Sequence, residues 1–123
     1  MNNLINWFEI PVVGFERAKR FYEIVLETTI EEMEVGGGRM GFLGDMQSEG
    51  VTGAIMQHEW YQPSEHGVLV YLNAGDDLQP WLTRVEIAGG TILVPKQQIS
   101  EEVGYMAIFR DCEGNRIALH SKR

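Results

Sequence analysis

At 123 residues, with 44% apolar and 23% charged side chains, the chain has room for one small folded domain and is too apolar for wholesale disorder. Its 18 acidic and 10 basic residues leave a formal charge of -8, which repels phosphate backbones, and no basic cluster reverses this locally, so nucleic acid is excluded as a partner. Apolar runs of a few residues fall far short of the roughly 20 that span a bilayer. No secretory leader is expected, no membrane is a partner, and the single Cys112 leaves neither an internal disulfide nor a thiolate zinc site, which points to the cytoplasm.

Residues 4 to 12 alternate, with Phe8, Ile10 and Val12 on one face and Trp7, Glu9 and Pro11 on the other, which predicts a half-buried strand. After Gly14, apolar Phe15, Ala18, Tyr22 and Val25 recur among charged neighbours as the stripe of a three-turn helix. Thr28 to Val35 and Arg39 to Leu43 read as a hairpin around Gly36-Gly37-Gly38, and Val51 to Gln57 as a further strand. His58 to His66 is a polar and aromatic connector. Gly67 to Asn73 then reads as a strand. A helix follows, opened by Asp76 and Asp77 with Gln79 in a capping position, and Gly89-Gly90 ends it. Thr91 to Val94, Tyr105 to Arg110 and Asn115 to His120 complete the strands, the last two joined by a tight turn at Asp111 to Asn115.

A shift of 63 positions lays the first half on the second, Phe15 on Leu78 and Val51 to Gln57 on Gly114 to His120. The expected fold is α+β within a single domain, residues 1 to 123. It consists of two tandem βαβββ modules, 4 to 57 and 67 to 120, joined by the connector 58 to 66, with curved mixed sheets around a cavity.

The stretches Glu9-Ile-Pro-Val-Val-Gly-Phe-Glu-Arg-Ala-Lys-Arg-Phe-Tyr22 and Phe109-Arg-Asp-Cys-Glu-Gly-Asn-Arg-Ile-Ala-Leu-His120 resemble the two signature segments of the vicinal-oxygen-chelate superfamily, the glyoxalase, bleomycin-resistance and extradiol-dioxygenase group. Val70 to Asn73 and the helix ending at Gly89-Gly90 resemble the second-module strand and helix of that family. The resemblance implies two βαβββ modules, a homodimer whose paired modules complete each cavity, and a divalent ion that stabilises an anion on the substrate. The family's metal positions fall on Trp7, near Ile55, on Val70 (or Val68) and on Ala118, none of which coordinates a hard ion. The resemblance is therefore to a divergent member without the usual metal ligands, and no metal or other cofactor is expected.

Parity places Glu9 beside Trp7, Arg116 and His120 beside Ala118, and Gln57 beside Ile55 on the cavity face. Glu9 and His120 are the candidate acid-base residues, and Glu9 has an ion pair with Arg116 as its alternative. Trp7, Glu9, Gln57, Tyr61, Val70, Tyr105, Arg116 and Ala118 are the candidate ligand-binding residues, with Trp60 and Tyr71 as further candidates for the wall. Cys112 reads as structural, and Met33, Met40, Met46, Met56 and Met106 as adaptable packing. Three functions stay open: a metal-free module binding a small organic ligand in a dimer cavity, a metal-independent isomerase or lyase with Glu9 as base, and a metal-dependent lyase or dioxygenase with relocated ligands such as His58 or His66. A dimer with a collapsed cavity is the plainest alternative.

Overall fold

The computed structural model describes residues 4–45, 47 and 49–123, so Met46 lies outside the described residues. The chain divides into two compact units, Met1–Pro63 and Ser64–Arg123. The first contains β1 (Phe8–Pro11), α1 (Phe15–Leu26), β2 (Glu32–Val35), β3 (Gly38–Phe42) and β4 (Gly53–Gln57). The second contains β5 (Val70–Asn73), α2 (Gln79–Ile87), β6 (Thr91–Ser100), β7 (Gly104–Arg110) and β8 (Arg116–Ser121). Each unit is thus a βαβββ module with one mixed four-stranded sheet, ordered β1-β4-β3-β2 and β5-β8-β7-β6. In both, the strand before the helix pairs in parallel with the last strand of the unit, and the remaining pairs are antiparallel. No helix among the described residues is long and apolar enough to cross a membrane.

The stripe read from the sequence is the buried face of α1, where Phe15, Ala18, Phe21, Tyr22 and Val25 are at most 2% exposed. The larger of these side chains contribute about 1.5–3 kcal/mol each on leaving water. The helix covers the sheet face carrying Ile10, Gly41 and Ile55: a methyl group on Gly41 would touch Ile30, Ile55 and Phe15. Gly41 therefore sets how closely α1 approaches the sheet. Successive strand residues alternate faces. The face away from α1 accordingly carries Glu9 and Pro11 from β1, Ala54 and Met56 from β4, Met40 and Phe42 from β3, and Met33 from β2.

Three local expectations change. The segment from Thr28 is not strand until Glu32: α1 ends with Glu27 in the left-handed region (φ 52°), and the Glu23 carboxylate accepts the Ile30 N–H at 2.8 Å. The second helix has Leu78 at its N-cap and no side-chain cap; Asp77, one residue earlier, accepts the Gln79 N–H on its Oδ1 at 3.0 Å. Lys96, 2.8 Å from that carboxylate, is the first cause holding Asp77 below the usual carboxylate range, and the Gln79 N–H adds to it. The strand expected at Thr91 to Val94 continues through Pro95 to Ser100. It lies at the sheet edge, where a proline costs no ladder bond on its outer side, and register shifts along its pairing with β7 absorb the irregularity.

Gly104 opens β7 at φ 103°, and a Cβ there would stand 2.3 Å from the Ser121 carbonyl oxygen. Both the backbone conformation and the contact exclude a side chain. Gly104→Ala is expected to cost about 2 kcal/mol or more, read as a lower urea midpoint. Gly50→Ala, with nothing within 4 Å of the added methyl, is expected to stay within about 0.5 kcal/mol of the parent. Equal midpoints for the two variants would contradict this packing.

Candidate functional site

In the first unit the sheet face away from α1 has two rows of side chains. Met33, Met40, Met56 and Pro11 lie opposite one another across β2, β3, β4 and β1, and Phe42, Ala54 and Glu9 form the next row. The first row is soft and polarisable, and the second ends in a carboxylate. Trp7, just before β1, donates its indole N–H to Glu9 Oε2 at 3.3 Å and meets the Phe42 ring edge-on at 6.2 Å between centroids. The Tyr61 hydroxyl donates to Glu9 Oε1. Trp7, Glu9, Phe42 and Tyr61 are all half-buried.

Tyr61 is 52 residues from Glu9 in sequence, and a histidine positions it. His58 Nδ1 accepts the Trp60 N–H at 3.2 Å, so the ring hydrogen sits on Nε2, which donates to the Gly36 carbonyl at 3.2 Å. The Tyr61 N–H donates to the His58 carbonyl at 2.9 Å and closes the turn. The neutral imidazole thus fastens the connector to the β2–β3 turn, and its edge packs on Trp60 and Tyr61. Trp60 itself is 84% exposed and contributes mainly this contact.

The register corrects three of the sequence assignments in this region and its counterpart. Ile55 pairs with Ile10 and Gly41 on the α1 side, and Gln57 pairs with Arg39, whose guanidinium lies 4.2 Å over the Phe15 ring of α1. Gln57 therefore does not share the Glu9 face; it lines a separate groove of 470 Å³ with Val13, Glu34 and His58. In the second unit, Tyr71 pairs with Ala118 and Val70 with Ile117, so Val70 points to the buried side of its sheet. The cause is a one-residue slip. Phe8–Gly53 corresponds to Val70–Ile117, offsets of 62 and 64 rather than a uniform 63. A slip of one residue turns a strand's side chains to the opposite face.

Tyr105 is also displaced from the expected face. It shares the side of Ala107 and Phe109, both fully buried, and Lys96 Nζ, paired with Asp77 at the start of α2, lies 4.9 Å over its ring. Arg116, Ala118 and His120 do share one face, as parity requires. Arg116 Nη2 reaches the Gly67 carbonyl at 3.4 Å, while its buried Nε has no partner. His120 Nε2 donates to the Val103 carbonyl at 2.6 Å. His120 lines a largely apolar groove of 410 Å³ with Tyr71, Leu72, Asn73, Ile99 and Val103. Phe42 and Asn73 are wall residues that the sequence reading does not assign, and strand alternation corrected by one residue finds them.

The second signature stretch does structural work. Asp111 Oδ1 accepts the N–H groups of Glu113 and Asn115 at 2.8 and 2.9 Å, and its Oδ2 accepts the Asn115 amide at 3.1 Å. Asn115 in turn accepts the Ser64 N–H at 3.0 Å, and Arg110 pairs with Glu65 at 2.8 Å. Cys112 sits half-buried in this turn.

The residues do not fit the divalent ion that the resemblance implies. Trp7 and Ala118 offer it no lone pair. On the faces expected for Ile55 and Val70 stand Ala54, Met56 and Tyr71 instead, a methyl, a thioether and a phenol, with no imidazole or carboxylate among them to hold a hard cation. Among the described residues no three His, Cys, Asp or Glu side chains stand together as a metal site.

The hydrogen bond to Glu9 is the first cause raising the Tyr61 phenol above its ordinary value; lost solvent and the nearby charge add to it. Removing the charge reverses two of these causes. Glu9→Gln is expected to bring Tyr61 back toward about 10, and Tyr61→Phe to remove the late-ionising tyrosine from the absorbance titration. Superimposable titrations of the parent and Glu9→Gln would show that the contact is not made in solution.

No curated sequence matches the chain significantly. Among solved structures, a glyoxalase/bleomycin resistance protein from Albidiferax ferrireducens superposes with a TM-score of 0.71 at 20% identity, covering 98% of this chain and 100% of that one. TnmS3, an antibiotic binding protein from a Streptomyces species, gives 0.65 at 22% identity and 98% coverage of both chains. The fosfomycin resistance protein FosX from Mesorhizobium loti gives 0.63 at 20% identity, covering 98% and 92%. These likenesses share the fold of two βαβββ modules described above. The family model of the Glyoxalase/Bleomycin resistance protein/Dioxygenase superfamily matches residues 4–119, and the chain belongs to that superfamily.

Proposed function

We propose that the chain is a homodimeric binding protein for a small organic molecule with a flat apolar part, held without a metal ion against Trp7, Phe42, Tyr61 and Glu9. The observation that carries this reading is the Glu9 carboxylate, fixed by two neutral donors within an aromatic and methionine-lined face. Rings supply stacking area, thioethers adapt to shape, and one oriented polar group selects among ligands. With one oxygen held by Trp7 and the other by Tyr61, Glu9 is an anchored anion, which suits recognition better than repeated proton transfer. The antibiotic-binding protein among the structural neighbours supports a small-molecule ligand. The homodimer is supported by maize glyoxalase I, of which this chain covers 45%, a single chain there having the length of two copies.

A thermal-shift screen with flat aromatic antibiotics tests the reading. Binding raises the midpoint by mass action, and Trp7→Ala should abolish the shift for compounds that act on the parent. Hits that all survive Trp7→Ala would make Trp7 mere filling. Light scattering at tens of micromolar should give twice the 14.0 kDa chain mass, and elemental analysis should give no stoichiometric transition metal. A monomer, or about one metal per chain, would contradict the corresponding part.

A further inference from the structure

Among the described residues of its own unit, no cation balances the Glu9 carboxylate. Both groups that donate to its carboxylate, the Trp7 indole and the Tyr61 phenol, are neutral. A carboxylate offers about four lone-pair positions, so acceptor capacity remains after these two bonds. No ion pair reaches Glu9 among the described residues of its unit. The cations that the unit does engage are used elsewhere: Lys19 pairs with Glu32, and Arg39 with Glu16 and Glu32. Arg39 also lies over Phe15, on the α1 side of the sheet. Arg17 and Arg20 stand on α1, across the sheet from Glu9.

The surroundings select for the missing charge. The Trp7 and Phe42 rings meet edge to face, and Tyr61 packs against the neutral His58. Aromatic faces attract cations and repel anions. A half-buried carboxylate is a stronger electrostatic partner than one in open water, and the chain's net charge of -8 draws cations toward it. We propose that the ligand of the Glu9 face carries a cationic nitrogen, an alkylammonium or quaternary ammonium group joined to a flat apolar body, with the cation against Glu9 and the aromatic rings and the apolar body over the methionine row. This rests on the small-molecule reading above and adds the ligand's charge. It excludes ligands whose recognition group is a carboxylate or phosphate.

Three soluble probes of similar size separate the two claims: benzyltrimethylammonium, benzyl alcohol and benzoate, each titrated while the Trp7 indole N–H is followed by NMR. The cation should shift that signal at the lowest concentration, benzyl alcohol should bind about tenfold more weakly, and benzoate should leave it in place. Glu9→Gln should weaken the cation about tenfold and leave benzyl alcohol unchanged. Because Glu9→Gln removes a buried contact, the parent protein supplies a second readout. Raising NaCl from about 0.01 M to about 1 M should weaken the cation and not the alcohol. Equal affinities for cation and alcohol, or a salt-independent cation, would overturn the charge assignment while leaving the small-molecule reading standing. Silence of the Trp7 signal toward all three probes would overturn both.

Discussion

The Glu9 carboxylate ties together the side chains on the first unit's sheet face away from α1. One of its oxygens accepts from Trp7, immediately before β1, and the other from Tyr61 in the connector. Its own position comes from the parallel β1–β4 register, which places it opposite Ala54 and in the same row as Phe42. Removing the carboxylate would leave an indole N–H and a phenol without their partner and would free the connector at Tyr61. A separate tie, His58 to the Gly36 carbonyl, sets where the connector turns and so where Tyr61 can reach. A polar group with its donors already in place needs little reorganisation when a ligand arrives, which is the physical advantage of such a site over a flexible surface.

Much of the fold is legible in the sequence because periodicity reports burial. The Phe15 to Val25 stripe is the buried face of α1, the Gly36 to Gly38 turn joins β2 and β3, and the repeated order of elements produces two sheets of identical topology. The candidate site is less legible, for a specific reason. Helix positions tolerate an offset error of one residue, since a stripe spans neighbouring positions, but strands do not. The uniform 63-residue shift therefore placed α2 correctly while turning Gln57 and Val70 to the wrong faces. Glu9, Arg116 and His120 are assigned from alternation within their own strands and keep their faces. Pairing between Tyr61 and Glu9 is long-range, and nothing local in either segment encodes it.

Superfamily membership explains the scaffold without fixing its chemistry. A βαβββ unit turns one sheet face toward its helix and leaves the other available for side chains of any kind, so one architecture accommodates many sites. In this chain that second face has been filled with tryptophan, phenylalanine, tyrosine and methionines around a single carboxylate. The signature turn at Asp111 to Asn115, by contrast, serves the fold: its buried side chains satisfy one another and the Ser64 N–H. Its presence marks the architecture, and the proposed function rests on the residues around Glu9.

A crystal structure of the purified protein, searched for density retained from the expression host, tests the central claim most directly. The account predicts organic density packed against Trp7 and Phe42, with a polar group directed at Glu9 and both the Trp7 and Tyr61 hydrogen bonds intact. A metal ion coordinated by protein side chains at that face, or a ligand seated elsewhere with Trp7 and Tyr61 packed shut over Glu9, would contradict it.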